Sequence, residues 1–322
     1  MKTESSNPRI LIIGAGSIGE RHIRNLLAAD YKDIYVFRQR NLPLRTIEPE
    51  QIHIFTDFDE IKRIQPEVAF ICSPTSMHLE QTMACVEHGM HVFVEKPLSH
   101  TIEGLNALKN LVKEKGKYVH IGYMMRFHPL FRRLKNIIQD QQYGKVLSFT
   151  SHWGEYLPAW HPWEDYRSSY VARKDLGGGV ALTLSHDIDL VNWLMGEELL
   201  SFKSLKIQPS RLEVETESVA DFLFQYKGGA SGHVHLNYIE KVPSRYLKMV
   251  FEDASVEVDY FKNAMQVRTK TEEVQHTLTA FERNQLFIDQ QAFFMQKIED
   301  YHIEDSIKQI EESELIINIC NA

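Results

Sequence analysis

Arg9-Ile-Leu-Ile-Ile13, followed at once by Gly14-Ala-Gly-Ser-Ile-Gly-Glu-Arg-His22, decides how this chain is read. The first segment is an apolar run. The second leads into a helical pattern in which Ile23, Leu26 and Leu27 are apolar. Strand, glycine turn and helix, in that order, is the setting in which a G-x-G-x-x-G match points to a dinucleotide. Gly14 permits the tight turn, Gly16 lets backbone approach a pyrophosphate, and Gly19 lets the helix pack on the strand. Ser17 and Ile18 stand in the first helical turn, where unpaired N–H groups face an anion. An ordinary glycine-rich turn is the plainer alternative. The place of the motif at the head of an α/β pattern favours a nicotinamide-type cofactor.

A chain of 322 residues exceeds one comfortable core and predicts two domains. With 43% hydrophobic and 25% charged residues it has the composition of a soluble globular protein. No apolar run approaches the length of a membrane span, and the polar start Met1-Lys-Thr-Glu-Ser-Ser-Asn7 carries no secretory apolar region. The net charge of −8 is spread without a basic block, which argues against a nucleic-acid partner. Cys72, Cys85 and Cys320 are odd in number and far apart, as expected of structural thiols in the cytoplasm.

Short apolar segments without alternation at Ile34 to Phe37, Val68 to Ile71, Val92 to Val94 and Tyr118 to Ile121 read as buried parallel strands. Helical stretches lie between them at Phe58 to Ile64, Met77 to His88 and Thr101 to Lys115, the last with Thr101 as N-cap and Gly116 as its end. Repeated strand–helix units predict a doubly wound parallel sheet over residues 1–122. Past a helix from Pro129 to Gln139 the pattern changes. Ser218 to Tyr226 and Ala230 to Tyr238 flank Lys227-Gly-Gly229 as a hairpin. Val146 to Trp153, Leu247 to Phe251, Ser255 to Tyr260 and Ala264 to Thr269 add short strands, and helices return at Ala280 to Glu299 and Asp305 to Ile319. Residues 123–322 therefore predict an α+β domain with an open, mostly antiparallel sheet, whose C-terminal helix is free to pack back on the first domain.

Val94-Glu-Lys-Pro-Leu98 falls at the carboxyl end of a predicted parallel strand, the edge where open α/β sheets bind ligands. An ammonium there can hydrogen-bond a substrate hydroxyl and stabilise the alkoxide that forms as hydride leaves. A surface lysine in a loop is the commoner fate of a lone lysine. Pro97 restrains the turn and can be cis at low cost. The second informative block is Leu176-Gly-Gly-Gly-Val-Ala-Leu-Thr-Leu-Ser-His-Asp-Ile-Asp-Leu190, in which three glycines run into a helical pattern. The glycines suggest close backbone approach to a cofactor or substrate. His186 is placed within that helix, with Asp189 three residues on. A hydrogen-bonded structural histidine is the alternative.

These motifs, with Gly122-Tyr-Met-Met-Arg-Phe-His-Pro129, come in the order of the Gfo/Idh/MocA oxidoreductases, and the chain resembles that family over nearly its whole length. The resemblance implies a Rossmann domain, a C-terminal domain on an open sheet, and hydride exchange between NAD(P) and a sugar-like alcohol. It assigns Lys96 to the reacting hydroxyl and His186 to proton transfer. It also implies that Ser73, Pro74, Thr75 and His78 lie along the cofactor, and Glu95, Lys96, Pro97 and Arg126 join that set from the matching motifs.

Two departures stand out. Many members carry an aspartate a turn before the histidine, where this chain has Thr183 or Leu182. A threonine supplies no charge to hold an imidazolium, and Asp187 or Asp189 is left to compensate. After the second strand an NAD-specific fold usually places an acid, yet here the chain reads Phe37-Arg-Gln-Arg40. Arg38 and Arg40 suit a 2′-phosphate and favour NADP over NAD. Stacking of Arg38 on adenine would leave either cofactor open.

The stretch from Ser151 to Tyr170 holds three of the four tryptophans. Tyr156, Trp160, His161, Asp165 and Tyr166 would suit a polyol, with Thr183, Lys96 and His186 beside them. Packing between domains or across a dimer is the equal alternative. His233 and His235 share a strand face, but no third ligand is evident, so sheet-face packing is expected and no metal site.

The expected function is an NAD(P)-dependent dehydrogenase or reductase acting on CH–OH groups of a sugar, cyclitol or sugar derivative, in a branch resembling those of surface-sugar pathways. A non-catalytic dinucleotide sensor is the alternative from another class, and a reductase of an imine or alkene a second enzyme reading. Bulky residues on both faces of Ser218 to Phe224 and His233 to Tyr238 call for a cover on the open sheet. A homodimer or homotetramer supplies one, unless the C-terminal helices do.

Overall fold

The computed structural model describes residues 7–39, 43–160 and 164–322. Its first elements are β1 (Ile10–Ile13), α1 (Ser17–Ala28), β2 (Ile34–Phe37), β3 (His53–Phe55), α2 (Ile61–Ile64), β4 (Val68–Ile71), α3 (Thr75–Glu87), β5 (His91–Val94), α4 (Leu105–Lys115) and β6 (Val119–Ile121). Every residue of β1, β4 and β6 is buried, as apolar runs without alternation require of strands covered on both faces. The strands pair in parallel in the order β3-β2-β1-β4-β5-β6. This is the doubly wound order whose direction switches between β1 and β4, where a crevice opens at the carboxyl ends.

The chain divides into two units, residues 1–122 with 287–314, and residues 123–286 with 315–322. Residues 287–314, anticipated within the second domain with its C-terminal helix free to pack back, thus fall in the first unit. The reason lies in two needs of the parallel sheet. Helix Asn284–Lys297 brings Phe294 and Met295 into the core formed by Ile10, Ile12, Phe70 and Phe93. In helix Ile303–Asn321, Ser306 Oγ accepts from the Val119 N–H at 2.9 Å and Gln309 Oε1 from the Ile121 N–H at 3.1 Å. These bonds satisfy the edge of β6, which has no further strand beside it.

The second unit contains α5 (Pro129–Gln139), β7 (Val146–Tyr156), α6 (Val180–Thr183), α7 (His186–Met195), β8 (Leu199–Ile207), β9 (Val219–Tyr226), β10 (Ser231–Asn237), β11 (Ile239–Phe251), β12 (Ala254–Asp259), β13 (Ala264–Thr269) and β14 (Glu273–Thr277). Eight strands lie in the order β14-β13-β12-β11-β7-β10-β9-β8. All neighbours are antiparallel except β10 and β7. Along β9, Ala220, Phe222, Phe224 and Tyr226 are buried while Leu223 and Gln225 are exposed, so one face is covered and the other open. The C-terminal helices are α8 (Asn284–Lys297) and α9 (Ile303–Asn321).

Several local expectations fail for identifiable reasons. Thr101 does not cap α4: its N–H goes to Ser99 Oγ, and the helix starts at Leu105 after Gly104 in the left-handed region at φ 85°. The segment around His186 is two helices, because Ser185 N–H bonds Leu182 O and Asp187 N–H bonds Leu184 O, tightening the turn between α6 and α7. Strands β3, β8 and β14 went unread. Each is a sheet edge with mostly exposed or half-exposed side chains, so no buried face imposes an apolar pattern.

Phe294 meets Phe70 and Phe93 edge-on at 5.5 and 5.6 Å between centroids. Phe294→Ala is expected to lower stability by about 3–5 kcal/mol in urea unfolding of the first unit, as deletion of a fully buried ring does. A loss under 1 kcal/mol would place α8 outside that core.

Candidate functional site

The glycine turn fits a dinucleotide for three separate steric reasons. Gly14 has φ 91°, and a Cβ there would stand 3.0 Å from the Cys72 carbonyl and the Ser73 nitrogen. A Cβ on Gly19 would lie 2.0 Å from Gly14 O, so only glycine lets α1 approach the turn this closely. Gly16 faces open space with nothing within 4 Å of its missing Cβ, and it caps α1 with no side-chain bond. Backbone N–H groups of Ser17 and Ile18 therefore begin a 12-residue helix at an uncrowded glycine, a cradle for a pyrophosphate. Beyond β4, Ser73 Oγ donates to Gln81 at 2.6 Å, Pro74 caps α3, and Thr75 is buried at its first position.

Lys96 follows β5 and is half-buried, and its bond to Pro97 is cis. The residue before it is locked. Glu95 Oε1 lies 2.8 Å from Nε2 of His22, which is fully buried on α1 among Phe70, Phe93 and Phe287. Burial works to raise the Glu95 carboxyl; the His22 hydrogen bond, with the charges of His22, Lys96 and His78, outweighs it and holds the group below the usual carboxylate range. Gly122 leaves room for this side chain, since a Cβ there would be 3.1 Å from Glu95 Oε2. His78 is buried, with Nδ1 2.7 Å from Pro97 O and Nε2 2.8 Å from Ser73 O. It therefore ties the Lys96 turn to the loop after β4, and burial pushes its pKa down despite those bonds.

Arg38 leaves the carboxyl end of β2, its N–H bonded to Phe55 O. Arg40 lies outside the described residues. Glu20, on α1, accepts the N–H groups of Arg45 and Thr46 and so anchors the segment that follows Arg38. Neither Glu20 nor His22 was singled out from the sequence. Both stand inside the quoted glycine stretch, but their partners lie 25 and 73 residues away.

In the second unit His186 opens α7, with Tyr123 edge-on at 5.8 Å and Trp153 at 6.1 Å. Both neighbouring carboxylates are held by arginines. Asp187 receives Arg245 Nη2 at 2.6 Å and Ser151 Oγ at 3.0 Å, and both members of the pair are 3% exposed. The Arg245 guanidinium stacks between Trp153, at 3.7 Å, and Tyr260, at 4.8 Å. Asp189 takes a fork from Arg126 at 3.0 and 2.5 Å. Through this fork Arg126 anchors the first turn of α7. Thr183 is buried, and close by the Tyr238 hydroxyl donates to Gly179 O at 3.0 Å, with burial pushing its pKa well up. The glycine run passes close to the chain's own atoms: a Cβ on Gly178 would strike the Tyr170 carbonyl at 2.4 Å, and one on Gly179 the Glu217 carboxylate at 2.7 Å.

Of the aromatic segment, Tyr156 ends β7 with Lys241 Nζ 5.9 Å from its ring centroid, and Trp160 stands perpendicular to Tyr238 at 5.4 Å. Asp165 caps a short turn and binds Arg167, while the Tyr166 hydroxyl accepts the Glu213 N–H. His161 lies outside the described residues. The expectation that His233 and His235 lack a third ligand is corrected by Asp221, which β9 sets directly opposite His235.

These features are those of a Rossmann-type dinucleotide fold. Residues 8–123 match the oxidoreductase family with an NAD-binding Rossmann fold, and residues 131–257 match the GFO/IDH/MocA C-terminal domain. The chain belongs to the Gfo/Idh/MocA family. An uncharacterized oxidoreductase of Bacillus subtilis is 27% identical over 68% of this chain and 64% of its own length. The myo-inositol 2-dehydrogenase of Thermotoga maritima is 30% identical over 59% of this chain and 56% of its own, so each match spans less than two thirds of the relative. Among solved structures, a myo-inositol 2-dehydrogenase from Lactobacillus plantarum superposes with a TM-score of 0.79 over 98% of both chains at 20% identity. A levoglucosan dehydrogenase in complex with NADH reaches 0.80 at 18% identity, over 98% of this chain and 97% of that one.

Two expected outcomes follow from the buried ion pairs. A Glu95 carboxyl held low contributes stability that is full above the ordinary carboxylate pKa and lost as pH falls through its folded value. In His22→Phe only the charges of Lys96 and His78 are left to oppose burial, and the carboxyl rises. The stability gap between wild type and variant should then be widest near neutrality and shrink on acidification, as urea midpoints against pH would record. A gap independent of pH would refute the pairing. Arg245→Ala strands Asp187 and is expected to cost about 3–5 kcal/mol by the same measurement.

Proposed function

We propose that this protein transfers hydride between NAD(P) and a secondary alcohol or ketone of a sugar, cyclitol or sugar derivative. The observation that carries this reading is the Lys96 turn: an ammonium at the carboxyl edge of the parallel sheet, set one residue after a carboxylate locked to the cofactor helix. Bound NAD(P) would supply the acceptor or donor of hydride. Lys96 donates a hydrogen bond to the reacting oxygen and stabilises the alkoxide. His186 takes the hydroxyl proton on oxidation and returns it on reduction, on a helix whose first turn is held by arginine anchors at Asp187 and Asp189. Tyr156 and Trp160 offer ring faces to the C–H side of the substrate, Thr183 a hydroxyl, and Asp165 and Tyr166 keep the segment's shape. The names of the dehydrogenase relatives support a polyol substrate.

NADP(H) is proposed to bind at least as tightly as NAD(H), because Arg38 directly follows β2, where an NAD-specific fold usually carries an acid, and none stands there. The open face of the second sheet, where Leu205 and Leu223 are each 57% exposed, supports a homodimer or homotetramer. Free, buried cysteines at 72, 85 and 320 support a cytoplasmic setting. Among the described residues, no helix is long and apolar enough to cross a membrane.

Lys96→Ala is expected to lower kcat by about 10²–10³-fold, as loss of one oxyanion donor does, while cofactor binding followed by nicotinamide fluorescence is kept. Undiminished turnover in a folded variant would defeat the assignment. Cofactor binding without turnover in wild type, across polyol and aldose panels, would favour a sensor. Arg38→Ala should weaken NADP(H) about tenfold and NAD(H) little, by parallel titrations. A strong NAD preference in wild type would overturn the cofactor proposal.

A further inference from the structure

The open face of the second sheet carries a cluster that the redox reading does not use. His233 and His235 alternate on β10 and so point to one side, and β9 pairs antiparallel with Asp221 directly opposite His235. The three side chains converge: Asp221 Oδ1 lies 2.8 Å from His233 Nε2 and 2.7 Å from His235 Nδ1. Their side chains are 28%, 38% and 26% exposed, so the cluster is open to an ion and to water. Strand alternation puts it on the other side of the sheet from Val234 and Leu236, which are fully buried.

We propose that Asp221, His233 and His235 form a binding site for a divalent ion of the zinc type. Two imidazoles and one carboxylate are a donor set of borderline character, suited to Zn²⁺, and three protein ligands leave a fourth position for water. Tetrahedral zinc with bonds near 2.0–2.1 Å separates its donor atoms by roughly 3.3 Å. Asp221 Oδ1 and each imidazole nitrogen need to part by about half an ångström from their present hydrogen-bonded spacing, within reach of χ rotations of half-exposed rings, and all three donors already lie within 4.8 Å of one another. The spacing of the ligands is set by the sheet, because cross-strand opposition and the i, i+2 repeat are fixed by the β9–β10 register.

The surroundings hold His235 in place. His152, in register with it on β7, stacks on its ring at 5.0 Å and an interplanar angle of 16°, and Tyr246 stacks on His152 from the far side. His152 is itself engaged by Glu240 at 2.8 Å. Asn237 Nδ2 stands 3.2 Å from His235 Nε2. Coordination through Nδ1 shifts the ring proton to Nε2, the nitrogen that now faces the Asn237 amide. Bound, the ion joins β9 to β10 on the face away from α7.

The site is tested on the full-length protein after dialysis against EDTA, by titration with Co²⁺ as a spectroscopic stand-in and then with Zn²⁺. Expected are visible absorption bands of a four-coordinate Co²⁺ complex, displaced by Zn²⁺, and a rise in melting temperature with Zn²⁺. His233→Gln and Asp221→Asn should each weaken binding at least tenfold while circular dichroism stays native, whereas His276→Ala should bind as wild type does. Absence of the bands overturns the proposal, as does unchanged affinity in the His233 and Asp221 variants. Because the readouts are ion binding and melting, they stand whether or not the protein proves to be a dehydrogenase.

Discussion

The hydrogen bond between His22 and Glu95 is the constraint around which the first unit is arranged. It joins the helix that begins at the glycine cradle to the end of the strand that carries Lys96. Neither partner tolerates its position alone. A carboxylate at this depth is costly unless a donor meets it, and a histidine fully buried among phenylalanines needs a polar outlet. Satisfying each other, they set the reach of α1 to β5, and with it the relation between the cofactor cradle and the lysine. His78 adds a second tie by spanning Ser73 and Pro97, so the turn is held from two sides.

The second unit follows the same logic with arginine in place of histidine. The first turn of α7 carries acids at 187 and 189, which suit a helix N-terminus. Each acid is then spoken for by a separate arginine, one from β11 and one from the turn before α5. An aspartate a turn before the histidine is missing here. What orients α7 instead is this pair of anchors and the stacking of Arg245 on Trp153. The glycines before α6 serve the same end: they let the chain pass against its own carbonyls and the Glu217 carboxylate.

Legibility differed sharply between the two units. Buried parallel strands leave apolar runs, so β1, β2, β4, β5 and β6 were readable, and so was the hairpin around Lys227-Gly-Gly229, since left-handed glycine marks the turn. Edge strands β8 and β14 were not, because half of their surface faces solvent and selects no pattern. Chemistry-bearing residues at strand ends, such as Lys96, could be named from their place after an apolar run. Residues that act by holding others, such as Glu20 and Arg245, could not.

What the sequence determined by itself was the class of fold, the glycine cradle and the motifs at Lys96 and His186, all of which depend on residues within a few positions of one another. Local sterics and periodicity suffice for these, since a turn, a helix start or a buried strand is decided by its own neighbours. Tertiary structure alone decided which groups meet. The pairing of His22 with Glu95, of Asp187 with Arg245 and of Asp221 with His235 spans 14 to 73 residues. Such contacts are set by sheet order and register, which pattern along the chain leaves open. The same is true of the helix that returns to the first unit: β6 lacked partners for its edge, and only the folded chain showed that Ser306 and Gln309 supply them.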